Sequence, residues 1–214
     1  MGRLFATFAE AWEFFLAREE PLESFFADLP EGESYVLAWL LGFDAALVPR
    51  IQVVQRAFGQ LPWITPQPAH FLHTSIAAVS VSRAKPNNAE IRAVVERAQE
   101  VWSGVPTFEV EYARVNCFHD AVVVEAAGAG PRILALRLVE AGYEINPTVF
   151  LPHVTIGAFN APADPSPLRE ALVPLRDSVI GKQQIVDAQL CVVPASRTTI
   201  LSPWEVVGRV RFRP

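Results

Sequence analysis

Several residue types and patterns are scarce or missing in this sequence. There are two cysteines and four histidines in 214 residues, and 18 basic side chains against 23 acidic ones. Cys117 and Cys191 both sit inside strand-like runs, and their number and spacing suit neither a zinc site nor a disulfide framework. Two buried thiols fit a reducing compartment, so a cytoplasmic location is expected. The net charge of −5 argues against a broad electrostatic grip on long nucleic acid, but it leaves room for a short nucleotide or an RNA end held by local contacts. No stretch approaches the ~18–20 uninterrupted apolar residues of a membrane span. The N-terminus lacks the continuous apolar run and small-residue cleavage site of a secretory signal. H-x-H, H-x-x-x-H and H-E-x-x-H are all missing, so no metal and no cofactor are expected. The stretch "AAGAGPR" (126–132) has glycines but not the lysine and spacing of a P-loop, and reads as a turn. No Gly/Ser-rich linker or low-complexity tract divides the chain.

What is present is an apolar chain, 51% hydrophobic and 19% charged, long enough to bury a sizeable core as one domain or two small lobes. Phe5, Phe8, Trp12, Phe15 and Leu16 recur at helical spacing and stop before Pro21. This amphipathic helix has an acidic polar face and offers its aromatic stripe to the domain or to a second copy of the chain. Strands are expected at 34–43, 107–115, 120–127, 149–159, 183–194 and 198–212, and 66–82 reads as a proline-punctuated approach followed by a strand. Helices are expected at 45–59, 87–104, 131–142 and 165–178. The clearest helix, 87–104, has Asn87 or Asn88 to cap it and Gly104 to close it. The paired strands at 107–127 and 183–212 point to an α+β fold with antiparallel sheets and helices on one face, rather than a doubly wound parallel sheet.

Two short stretches stand out. "HTSI" at 73–76 and "HVTI" at 153–156 both read His-x-Ser/Thr-apolar, 80 residues apart, each in a strand with helices before and after. From average residue usage a given histidine meets this pattern roughly once in twenty, so two of four meeting it by accident has a chance of about 2%. The pair reads as a diverged internal repeat. Alternation along a strand puts His73 with Ser75, and His153 with Thr155, on one face, with the intervening residues in the core. Two such strands about a pseudo-twofold axis line a cleft with two imidazoles and two hydroxyls. That is a kit for phosphodiester transfer without a metal: one imidazole takes a proton, the other gives one, and the hydroxyls donate to the phosphate oxygens.

The motifs, their separation and their strand settings resemble the 2H (two-histidine) phosphoesterases, specifically the 2′-5′ RNA ligase / RNA 2′,3′-cyclic phosphodiesterase type. "FLPHVTIGAF" looks like that family's second motif strand and "HTSIAAV" like its first, and the resemblance spans about residues 34–212. It implies two α+β lobes, each a small antiparallel sheet backed by helices, flanking a central cleft. Residues 1–33 are then an N-terminal helical extension and 34–214 the bilobal domain. The implied chemistry is the opening of a 2′,3′-cyclic phosphate to the 2′-phosphate, or the making and breaking of 2′-5′ linkages. RNA ends or small cyclic nucleotides are the implied partners. His153 is assigned as base and His73 as acid, with the reverse assignment left open; Ser75 and Thr155 orient the phosphate. Thr74 stands where the family usually has an apolar residue, so its hydroxyl needs a partner, such as a backbone carbonyl. Phe118, near a hairpin turn, is a candidate for stacking on a base, and Arg197 a candidate phosphate contact. His70 and His119 lack a hydroxyl partner two residues on and read as structural or surface groups. The alternative to an enzyme is a nucleotide-binding or scaffolding module that keeps the cleft.

Overall fold

The computed structural model describes residues 4–27, 29–146, 148–197 and 199–214. In chain order the elements begin with α1 (Phe8–Ala17), β1 (Tyr35–Gly42), α2 (Val48–Phe58), β2 (Ile64–Pro66), β3 (His73–Ser82), α3 (Asn88–Val101) and β4 (Phe108–Cys117). They continue with β5 (Ala121–Ala127), α4 (Gly130–Glu140), β6 (His153–Phe159), α5 (Ser166–Leu172), β7 (Val179–Ile185), β8 (Asp187–Pro194) and β9 (Glu205–Arg211). Helix starts follow local chemistry. The Asn87 side chain accepts from the Ala89 and Glu90 N–H groups, and Glu90 Oε2 accepts from the Asn87 N–H at 2.8 Å, a reciprocal cap. Thr7 Oγ1 accepts from Glu10 N at the head of α1, and Pro49 lies in the first turn of α2, where its missing N–H costs nothing.

All the strands join one antiparallel sheet in the order β7-β4-β5-β6-β3-β1-β8-β9, with β2 paired to β6. The two expected small sheets meet edge to edge, through the single residue pair Thr74–Val154 of β3 and β6. A pseudo-twofold axis through that pair relates β6, β5, β4 and β7 to β3, β1, β8 and β9. The chain crosses between the halves, since β8 and β9 return to lie beside β1.

Three expected elements change. The strand at 183–194 is two strands, β7 and β8, which break at Val186 and go to opposite halves of the sheet. No glycine or proline marks that break, so the alternation reads straight through it. The helix at 165–178 stops at Leu172 and continues only as a 3-10 turn, Val173–Leu175, because Pro174 has no N–H to donate. The last strand shortens to β9; residues 199–202 form turns, and residue 198 lies outside the described residues.

The helices α2 to α5 bury Ile51, Phe58, Leu134, Leu138 and Leu168 against one face of the sheet, with Trp39 and Trp102 edge to face at 4.9 Å. The central strands β1 and β5 are buried on both faces, which is why β1 reads as an unbroken apolar run and β5 as one interrupted only by Glu125. Leu37, Trp39 and Leu41 face the helices, while Ala38 and Leu40 face a separate cluster with Phe25, Phe26, Leu29, Ile200 and Trp204. On the same outer face, α1 covers the other half. Asn116 Nδ2 donates to the Phe8 carbonyl at 2.9 Å, and the Arg176 guanidinium lies 4.9 Å from the Trp12 ring. The stripe is Phe5, Phe8, Ala11, Trp12 and Phe15; Leu16 is exposed. The aromatic face of α1 is therefore spent on its own domain. Among the described residues no helix is long and apolar enough to cross a membrane.

Candidate active site

Both His-x-Ser/Thr strands carry the same irregularity. Against β1, Trp39 pairs with Ala77 and Leu40 with Ser75, so Ile76 is bulged out of register. Against β5, Val122 pairs with Gly157 and Val123 with Thr155, so Ile156 is bulged likewise. The apolar fourth position of each motif is thus a β-bulge, a device that bends a strand and re-aims its side chains. Ile76, Ile156 and Val154 are buried in the core. Antiparallel register about the Thr74–Val154 pair sets His153 opposite Ser75 and His73 opposite Thr155; of the four, Ser75 and His153 line one cavity.

The two imidazoles sit in matching environments. His73 Nδ1 donates to the Phe71 carbonyl at 2.7 Å and His153 Nδ1 to the Leu151 carbonyl at 2.6 Å. A carbonyl can only accept, so Nδ1 carries the proton in each neutral ring and Nε2 is left as the basic nitrogen. At His73 that nitrogen is 3.1 Å from Ser75 Oγ, whose hydroxyl donates to it. An aromatic ring meets each imidazole edge to face at 4.9 Å: Phe118 at His153, with 86° between planes, and Trp204 at His73, with 83°. Phe118 follows β4 and Trp204 follows the pseudo-symmetric β8. The sequence reading singled out Phe118 and missed Trp204; Phe118 directly follows its strand, whereas Trp204 lies ten positions beyond the end of the strand related by the repeat.

Each ring keeps an edge toward the cleft yet has protein on nearly every side, so its charged form loses solvation. Burial pulls the His73 pKa down to about 4; the Phe71 carbonyl works against this, and the charge of His153 adds to it. Burial also lowers His153, but there the Leu151 carbonyl and the Asp120 carboxylate both push back. Asp120 lies on the β4–β5 turn beside His119, whose Nε2 is 3.7 Å from its Oδ2. Burial raises the Asp120 carboxyl, while His119 and His153 hold it down. No acidic residue acts on His73 in this way among the described residues. Both thiols are held protonated by burial, Cys191 at about 12.

A cavity of about 430 Å³ opens beside His153 and Ser75, walled by Phe118, His119, Phe5 and residues 144–146 and 149–151. His119, set aside as structural or surface, is one of its walls. His70 is where it was expected, exposed and bonded through Nε2 to the Leu201 carbonyl. Arg197 does not reach the cavity. Its guanidinium donates to the Ala27 carbonyl at 2.9 Å and pins the N-terminal segment instead. Thr74 is fully buried but finds no carbonyl. Its hydroxyl and that of Tyr112 both lack a well-formed hydrogen bond, although burial raises the Tyr112 phenol and Thr74 opposes that rise, so the two groups face each other. Among the described residues no three His, Cys, Asp or Glu side chains group as metal ligands.

No protein-family model and no curated protein matches the sequence. Solved structures do match the fold. TT0787 of Thermus thermophilus aligns over 83% of this chain and 98% of its own, with a TM-score of 0.60 and 14% identity. Escherichia coli LigT complexed with 3′-AMP aligns over 86% of this chain and 100% of its own, at 0.58 and 16%. A structure described as a phosphoesterase aligns over 85% and 100%, at 0.61 and 16%. LigT has also been solved with phosphate and with ATP. At these identities the likeness establishes a shared α+β fold.

Proposed function

We propose that this protein is a two-histidine phosphoesterase that hydrolyses 2′,3′-cyclic phosphates, on RNA ends or on nucleotides, without a metal. The observation that carries this reading is the duplicated imidazole site. Each motif histidine is fixed in one tautomer by the carbonyl two residues before it and braced by an aromatic ring at the same distance. Structural histidines have no reason to repeat that arrangement about an axis.

The asymmetry between the two sites supports roles opposite to those first assigned. His73, pulled to about 4, is neutral near pH 7 and serves as the base. Its Nε2 takes a proton from water as the water oxygen bonds to phosphorus. His153, whose protonated form the Asp120 carboxylate favours, carries the proton and delivers it to the departing 3′-oxygen, leaving a 2′-phosphate. The anionic substrate itself raises both pKa values on binding, favouring the protonated acid. Ser75 and Thr155 donate to the non-bridging oxygens as charge builds on them. The same proton transfers, with an RNA 5′-hydroxyl as nucleophile or leaving group, make or break a 2′-5′ linkage. The complexes of LigT with 3′-AMP and ATP are in keeping with a nucleotide-sized ligand.

The test is turnover of 2′,3′-cyclic AMP and of a short RNA with a 2′,3′-cyclic end, in EDTA, with His73→Ala and His153→Ala alongside. Each substitution should cost at least ~100-fold, the usual scale of general acid–base catalysis. Nucleotide binding without turnover would instead support a binding module, and activity surviving both substitutions would place the chemistry elsewhere.

A further inference from the structure

The N-terminal segment is built into the cleft. Past α1, Leu22 pairs with Ala163, the Glu23 N–H donates to the His119 carbonyl at 2.8 Å, and the Phe25 N–H donates to the Phe159 carbonyl at 2.8 Å. The segment therefore runs across the end of β6, the strand that carries His153. Arg169 holds the Arg18 carbonyl at 2.7 Å from the other side. Ahead of α1, Leu4 and Phe5 reach the cavity beside His153 and Ser75. Phe118, the ring braced against His153, has Phe5 and Phe8 6.3 Å away, at 24° and 3° to its plane.

That cavity differs from a site for a polyanion. Its walls are mainly Phe5, Phe118, Ile145, Val149, Phe150 and Leu151, and among the described residues lining it there is no lysine or arginine. One amide and one carboxylate sit on this side of the cavity: Asn146, whose Oδ1 is already held by Thr148, and Glu144. A flat aromatic group with N–H donors on its edge matches such a lining, because its faces meet apolar walls and its edge meets an acceptor. The volume of about 430 Å³ lies near the lower end of the ~300–1,000 Å³ typical of small-molecule sites, which suits a single nucleoside.

We infer that Leu4 and Phe5 of the N-terminal segment close this cavity into a binding site for the nucleobase of one terminal nucleoside, making the extension a specificity element of the cleft. This rests on the phosphodiesterase reading, and it adds that the group next to the reacting phosphate is recognised by residues outside the domain that carries the motifs.

The test compares two substrates on the same enzyme: cytidine 2′,3′-cyclic phosphate, and 1-O-methylribose 2,3-cyclic phosphate, which lacks the base. Phe5→Ala should lower kcat/KM for the nucleotide about 10-fold or more through KM, since stacking is worth ~1–3 kcal/mol per base. It should leave the abasic substrate unchanged, and Phe5→Trp should restore the nucleotide rate. Leu4→Ala is the companion, because Leu4 is 61% exposed and its truncation does not threaten folding; a smaller change of the same kind, about 2–3-fold, is expected. Equal losses on both substrates would reduce Phe5 to a structural role, and no change with either variant would remove the segment from the site. Should the wild type turn over neither compound, the phosphodiesterase reading is what fails. Calorimetric binding of cytidine 2′-monophosphate against ribose 2-phosphate, on the same variants, then decides the base site separately.

Discussion

His73 and His153 occupy equivalent positions in a repeat, and one neighbouring carboxylate makes them unequal. In the proposed mechanism the base must be neutral and the acid protonated. Since the His73 pKa lies at about 4, the acid limb of kcat/KM against pH should fall near that value. The alkaline limb should fall below 6.5, because His153 is also lowered from its ordinary value. Asp120→Asn removes a group that raises His153, so the alkaline limb should move to lower pH while the acid limb stays. A pH–rate profile in which the acid limb moves instead would reverse the two roles. The same depressions have a sign for stability. Between pH 6.5 and about 4 the unfolded chain binds a proton at His73 and the folded chain does not, so stability should decline as pH falls through that window, and the lowered His153 adds in the same direction. Thr74 is a residue-scale cost of another kind. Its buried hydroxyl faces that of Tyr112 without good geometry. Thr74→Val combined with Tyr112→Phe should therefore raise the unfolding free energy from urea titration by on the order of 1 kcal/mol, with activity preserved.

At the scale of elements, the paired bulges at Ile76 and Ile156 explain why Gly157 follows the second motif. Past the bulge the strand's facing is reset and position 157 turns to α2, where an added Cβ would come within 2.9 Å of Phe58 and 3.1 Å of Ile64. Gly157→Val should cost about 1–3 kcal/mol by overpacking, measured by denaturant unfolding; a change within 0.5 kcal/mol would show that α2 yields easily. The motif strands, the Asn87 cap and α1 were legible because each depends on neighbours within a few residues. The split of 183–194 was not, because both sides of Val186 keep a strand-like pattern and only their distant partners, β4 and β1, differ. Trp204 was missed for a related reason: nine residues separate it from the end of β8, and its imidazole partner is 131 positions away.

For the molecule as a whole, the described residues of the N-terminal segment, 4–27 and 29–33, are part of the architecture. Both apolar clusters on the cleft face need them: Phe5, Phe8 and Ala11 on one half, Phe25, Phe26 and Leu29 on the other. Beneath α1 lie the buried Glu125 and its partners Arg176 and Asn116. Deleting residues 1–33 should thus expose apolar surface on both halves and lower the thermal midpoint markedly, with a rise in dye binding to exposed apolar patches. A 34–214 fragment as stable as the full chain would separate the extension from the fold.

The sequence alone determined what alternation and repetition encode. Those signals gave the antiparallel α+β class, two His-x-Ser/Thr strands with their polar residues on one face, and an amphipathic helix at the start. Only the tertiary structure decided that the two sheets fuse at Thr74–Val154, that Asp120 acts on one histidine and not the other, and that Phe5 rather than Arg197 borders the cavity. Periodicity reports which side of an element is buried. It does not report which distant element buries it, and the electrostatics of the two imidazoles depend on that distant neighbour.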